Sequence, residues 1–134
     1  MTESEKITEL LKNAKTIAVV GLSDNPLRAS HGVAAYLQMQ GYRIIPVNPD
    51  IESALGEKAY PTLSDVPENI DLVDIFRRSE HVAPVVDEAI KLKVPAVWMQ
   101  ETVIDEQAAS KAREHGMTVV MDRCILKEHR ARME

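Results

Sequence analysis

Five short runs of apolar, largely β-branched residues recur along the chain: 16–20 (TIAVV), 43–47 (RIIPV), 71–76 (DLVDIF), 96–99 (AVWM) and 118–121 (TVVM). Several are apolar almost throughout instead of alternating, the pattern of strands covered on both faces. Between them lie segments of helical period, SHGVAAYLQMQG, SEHVAPVVDEAIKLK and DEQAASKAREHG. Each opens at or near a capping residue (Ser30, Ser79, Asp105), and two close on a glycine, Gly41 and Gly116, suited to a left-handed C-cap. Pro84 falls inside the helix after Ser79 and is a candidate bend. Strand–helix alternation with short connections predicts right-handed βαβ crossovers. The expected fold is therefore a doubly wound α/β domain: a five-stranded, mostly parallel sheet with helices on both faces.

Three stretches fall outside that rhythm. TESEKITELLKN carries Ile7, Leu10 and Leu11 at helical spacing and predicts an additional helix within residues 1–15. From Asn48 to Ile70 the period is lost, with Pro49, Gly56, Pro61 and Pro67 as punctuation, so a structured loop with one short helix over SDVPEN is expected. The tail, residues 125–134 (ILKEHRARME), is charged and reads as a frayed helix. No internal repeat or linker divides the chain, which reads as a single domain over 1–134.

Composition narrows the function classes. Aromatics are 4% of the 134 residues against 45% hydrophobic overall, so the core is aliphatic. No apolar stretch approaches the roughly 20 residues that span a bilayer, and the polar N-terminus lacks the features of a signal or transit peptide, so no membrane association and a cytoplasmic location are expected. The net charge of −5 argues against a nucleic-acid partner, which needs a basic face. One anionic small molecule remains compatible with it. A single cysteine, Cys124, and four scattered histidines give no metal-ligand spacing.

In an open parallel sheet, ligands bind beyond the carboxyl ends of the strands. That points to four loops: Gly21-Leu22-Ser23-Asp24-Asn25-Pro26-Leu27-Arg28-Ala29-Ser30, Asn48-Pro49-Asp50, Arg77-Arg78-Ser79 with Phe76 just before it, and Gln100-Glu101-Thr102. Gly21, directly after TIAVV, permits a sharp turn and a close approach. The helix that follows offers unpaired N–H groups and a positive dipole end to an anion. Ser23 and Ser30 add hydroxyls, and Arg28 a planar fork for phosphate oxygens. Arg77 and Arg78 either bind phosphate, stand in solvent, or pair with Glu80 and Asp74. Asp74, inside an apolar run, is costly to bury uncompensated, so it is expected to point outward or to pair with an arginine. Cys124 reads as a small buried hydrophobe or as a partner for a thiol ligand. Trp98 reads as core or pocket wall, and His31 as packed or solvated.

The nicotinamide dinucleotide fingerprint is a poor match. Ser23 stands where Gly-x-Gly-x-x-Gly needs its second glycine, positions 27–30 hold none, and strand two ends at Asn48-Pro49 in place of an acidic residue. No nucleophile elbow and no Cys/His pair at a recognisable spacing appears. Binding is favoured over turnover.

AVVGLSDNPLRASHGVAAYLQMQGYRIIPVNP, followed by VDIFRRSEHV, VWMQ and TVVMDRC, resembles the small stand-alone CoA-binding domain proteins (YccU-like). These are similar in fold to the Rossmann-like N-terminal CoA-binding domain of the succinyl-CoA synthetase α subunit. The resemblance runs from about Thr16 to Cys124. It implies coenzyme A across the strand ends, with Gly21, Leu22, Ser23 and Arg28 taking phosphate. Asn48 and Pro49 would lie against the adenosine part, with Arg77 and Arg78 nearby and Gln100 and Glu101 lining the far side. One departure is Thr102, where relatives usually have glycine. The synthetase acts through a phosphohistidine in a further domain with a partner subunit, and this chain is expected to lack it. The implied function is binding of CoA or acyl-CoA as a carrier, sensor or regulatory module, with a homodimer compatible. The alternatives are a small NAD(P)-linked oxidoreductase or a CoA-dependent transferase component acting with a partner.

Overall fold

The computed structural model describes residues 1–133. Helix α1 (Glu3–Asn13) precedes β1 (Thr16–Val20), α2 (Ala29–Met39) and β2 (Arg43–Val47). After an excursion come β5 (Leu72–Ile75), α3 (Val82–Lys91), β6 (Ala96–Met99), α4 (Glu106–Glu114), β7 (Thr118–Val120) and α5 (Ile125–Met133). The main sheet has the order β2-β1-β5-β6-β7 and is parallel throughout. The fold is the expected Rossmann-like, doubly wound α/β arrangement. Its strand order reverses between β1 and β5, which is where such sheets open a crevice.

The alternation of side chains along each strand builds two cores. Ala18, Val20, Val73, Ile75, Val97 and Met99 pack on α3 and α4 through Val82, Val86, Ala109 and Ala112. Ile17, Val19, Leu72, Trp98 and Val120 pack on α1, α2 and α5 through Ile7, Leu11, Leu37 and Ile125. Both faces are covered, which is why the strand sequences read as near-continuous apolar runs. No helix among the described residues is long and apolar enough to cross a membrane.

Local chemistry sets the ends of the elements. The Thr2 hydroxyl accepts from Glu5 N–H and the Glu5 carboxylate accepts from Thr2 N–H, a capping box that starts α1. Asp105 caps α4 by accepting from Ala108 N–H at 3.0 Å. Gly41 and Gly116 follow α2 and α4 at positive φ (100° and 82°). Asp71 accepts from both Lys15 and Thr16 N–H, each at 2.9 Å, fastening the start of β1 to that of β5.

Several expectations change. Ser30 is the second residue of α2, which Arg28 precedes without a side-chain cap. Ser79 opens a 3-10 turn, Ser79–His81, ahead of α3. Pro84 falls in the first turn of α3, where no intrahelical N–H bond exists to lose, so it causes no bend. The excursion after β2 holds a two-residue antiparallel pair, β3 (Ser53–Ala54) with β4 (Glu57–Lys58). Its Leu55-Gly56 turn has positive φ at both central residues, the hairpin geometry that two-residue loops favour. The short helix in this region is a 3-10 turn over Leu63–Asp65. The charged tail is no frayed end: α5 buries Ile125 and His129, and Tyr36 Oη lies 2.7 Å from His129 Nδ1. Glu134 lies outside the described residues.

Candidate ligand-binding site

Beyond the carboxyl ends of the strands lies an open trough of about 1070 Å³. Each strand of the main sheet feeds it: Asn48 after β2, Gly21 and Ser23 after β1, Phe76 and Arg77 after β5, Gln100 and Glu101 after β6, and Cys124 after β7. Of the sequence candidates, Gly21, Ser23, Arg28, Ser30, Asn48, Phe76, Arg77, Arg78, Gln100 and Glu101 line it. Leu22 and Pro49 do not. Leu22 is fully buried in the α1–α2–α5 core, because the turn at Gly21 sends the next side chain inward. Pro49 is exposed outside the trough. Leu27 and Ser79, from the expected loops, border the space as well, and so do Val33, Glu80 and Val103, which were not among the expected positions. Glu80 and Val103 adjoin expected loops, whereas Val33 enters from the first turns of α2.

The trough is held open by bonds among the loops. Gly21 has φ 87°, and a Cβ there would lie 2.1 Å from the Phe76 carbonyl oxygen. Glycine is thus required by the close passage of the β1 and β5 loops, whatever else approaches. Ser23 N–H donates to Ser30 Oγ (3.0 Å) and Asn25 N–H donates to Ser23 Oγ (3.0 Å). Both hydroxyls keep their own hydrogen for another acceptor. Asn48 Nδ2 donates to the Leu22 carbonyl (3.1 Å) while its Oδ1 accepts from Asp50 N–H (2.9 Å), so this side chain pins two loops together. The Ser79 hydroxyl accepts from Ile104 N–H (2.9 Å) and donates to the Thr102 carbonyl (3.3 Å), joining the β5 and β6 loops. Thr102 itself has φ 70° and donates its N–H to Asp122 Oδ1 (2.7 Å). A β-branched residue is strained in that left-handed region.

Charge is distributed unevenly around the rim. The guanidinium groups of Arg28, Arg77 and Arg78 border the trough, and none forms an ion pair or hydrogen bond with another described residue. The expected alternative, pairing of Arg77 or Arg78 with Glu80 or Asp74, is not what the fold adopts. Glu101 is matched by Lys127 at 3.1 Å, so it presents little uncompensated negative charge. Three free cations thus face one space in a chain of net charge −5.

Asp74 departs most from expectation. It sits mid-β5 between Val19 and Trp98, is 0% exposed, and neither carboxyl oxygen has a hydrogen-bond partner among the described residues. Burial pushes its pKa well above the ordinary aspartate value. It points neither outward nor toward an arginine, and it lies in the sheet beneath the trough. Trp98 is core as expected, its indole N–H donating to the Arg123 carbonyl at 2.8 Å.

A second cavity of about 690 Å³ opens at the opposite ends of the strands, between α1 and β7, bordered by Glu3, Glu9 and Asp71 as well as Lys6 and Arg113. Parallel sheets do not direct loop amides or helix N-termini toward that side, and its carboxylates oppose an anion. The larger trough is the candidate site.

Fold and trough together define a Rossmann-like α/β domain whose candidate site lies at the switch between β1 and β5. The chain belongs to the CoA binding domain family, whose match extends over residues 15–130. It is 46% identical over 124 residues to the uncharacterized protein YneT of Bacillus subtilis (strain 168), covering 92% of each chain. A solved structure of a hypothetical protein from Pyrococcus horikoshii OT3 superimposes with a TM-score of 0.95 at 38% identity, over 100% of this chain and 94% of that one. The chain is also 32% identical to part of the ADP-forming 4-hydroxybutyrate–CoA ligase of Nitrosopumilus maritimus (strain SCM1), a match over 83% of this chain but 18% of the ligase. It is thus a small domain related to a segment of ADP-forming CoA ligases.

Proposed function

We propose that this protein binds coenzyme A or an acyl-CoA across the carboxyl ends of its parallel strands, as a carrier, sensor or regulatory module without catalysis of its own. The observation that carries the reading is the convergence of Arg28, Arg77 and Arg78, all unpaired among the described residues, on one trough. Guanidinium groups are planar donors matched to phosphate oxygens, and CoA carries three phosphates at its nucleotide end. Ser23 and Ser30 supply hydroxyl hydrogens beside Arg28. Membership of the CoA binding domain family supports the choice of CoA among polyanionic nucleotides. The absent glycines at positions 23 and 27–30 weigh against a nicotinamide dinucleotide.

A thermal-shift panel with CoA, acetyl-CoA, NAD, NADP and ATP tests the assignment. A ligand at a hundred times its Kd adds about 2.7 kcal/mol to native stability, an easily read shift. CoA and acetyl-CoA should raise the melting temperature most. A shift with NAD and none with CoA would overturn the proposal. Arg28→Ala should weaken CoA binding in calorimetry and flatten its salt dependence; unchanged affinity would remove Arg28 from the phosphate contacts.

The ligase relative favours a second reading, in which the module presents CoA to a catalytic partner. Co-purification of a stoichiometric partner that confers CoA-dependent acyl transfer would select it.

A further inference from the structure

Gln100 and Cys124 border the trough from the β6 and β7 side of the sheet. Gln100 is 5% exposed, and its Oε1 accepts from Ile125 N–H at 3.2 Å, one residue beyond Cys124. Its Nε2 has no acceptor among the described residues, yet Gln100 borders the trough. The amide, fixed through its oxygen, thus keeps an unused donor on the wall of the ligand space, where a ligand carbonyl can accept it in place of water. Cys124, half-buried, borders the same space. It directly precedes α5, and its carbonyl accepts from Glu128 N–H at 3.0 Å. A helix N-terminus is one of the surroundings in which thiols react.

The order across the sheet supplies direction. Arg28 and Arg77 belong to the β1 and β5 loops, Gln100 follows β6, and Cys124 follows β7. From β1 to β7 is three strand spacings, about 14 Å. A ligand with phosphates at one end, amide carbonyls along a flexible arm and a thiol at the other end would meet these groups in that sequence. This inference rests on the CoA reading above and adds a chemical role to it.

We infer that Cys124 captures the thiol end of the bound ligand as a mixed disulfide, with Gln100 holding an arm carbonyl beside it. The co-reactant is the ligand in its disulfide form. Cys124 gives up its proton and its sulfur attacks one sulfur of the ligand disulfide. The new Cys124–ligand S–S bond forms as the ligand's own S–S bond breaks. The departing half leaves as a thiolate and takes up a proton, so one disulfide replaces another with no further oxidant. A reducing thiol reverses the step.

The full-length protein should be incubated with CoA disulfide, and in parallel with glutathione disulfide, and followed by intact mass. Prior binding raises the local concentration of the reacting sulfur, so the CoA adduct should form on the order of a hundredfold faster than the glutathione adduct at equal low concentration. It should map to Cys124, vanish with dithiothreitol and be absent in Cys124→Ser. Gln100→Leu should slow the CoA reaction while leaving the glutathione reaction unchanged. Calorimetry with reduced CoA separates the two claims. If wild type and Cys124→Ser bind CoA but no adduct forms, or glutathione disulfide reacts as fast, the capture role fails and the binding site stands. If CoA does not bind at all, both fail.

Discussion

Asp74 offers the most direct physical test of the structure. Its carboxyl group is sealed in the middle strand of the sheet with no hydrogen-bond partner among the described residues, so the folded protein holds it protonated to a higher pH than the unfolded chain does. The sign follows from linkage. A group whose pKa is raised on folding contributes full stability below its unfolded value and progressively less as pH climbs toward its folded value. Throughout that window the native state binds one more proton than the unfolded state, and stability falls by about 1.4 kcal/mol per pH unit. Asp74→Asn removes the titration while retaining size and polarity. The stability of Asp74→Asn relative to wild type should therefore rise by about 1.4 kcal/mol for each pH unit above the ordinary aspartate range, levelling off where the folded-state carboxyl itself ionises. For a chain of this size that corresponds to roughly 3–5 °C in melting temperature per unit. Asp74→Leu should stabilise further at neutral pH, since it also removes a neutral but unpartnered polar group worth about 1–3 kcal/mol when buried. Urea unfolding of the three proteins at half-unit steps from pH 4.5 to 7.5 reads this directly. The difference between variant and wild type cancels histidine titrations common to both. Parallel pH profiles for wild type and Asp74→Asn would refute the account of a buried, protonated carboxyl.

Three further outcomes follow from the loops. Gly21→Ala should destabilise by several kcal/mol, about 3 or more, because its Cβ would collide with the Phe76 carbonyl at a positive φ; chemical denaturation at one pH suffices. Thr102→Gly should stabilise by about 1 kcal/mol by relieving the left-handed strain at φ 70°, and a lowered denaturation midpoint would contradict it. Asp71→Ala should cost about 1–3 kcal/mol by leaving the Lys15 and Thr16 amides without their shared acceptor, with faster amide exchange at the start of β1 as the local signature.

How far the chain can be read without coordinates depends on what each feature rests on. The five strands were legible because both faces of the sheet are covered, which writes continuous apolar runs such as TIAVV and AVWM. The capping role of Asp105 was legible because it is local. The gathering of Ser23, Arg28, Arg77 and Gln100 was legible through topology alone, since parallel strands deliver their loops to one edge. What escaped depends on the third dimension. Two-residue strands at 53–54 and 57–58 are too short to show a period. Leu22 is adjacent to site residues in sequence but rotated into the core by the Gly21 turn. Ser30 looks like a cap and instead tethers Ser23. Asp74 obeys a general rule about buried charge in an unexpected way, by favouring its neutral form over finding a partner.

The walls of the trough come from chain positions as far apart as Gly21 and Cys124, one short piece from behind each strand of the main sheet. No fragment or single hairpin can assemble them, so the site comes into being only when the sheet is complete. A molecule settling there would resist whole-chain unfolding instead of any one local opening, and amide protection should then deepen together across all five strands. Occupancy of such a seam acts as a lock on the fold.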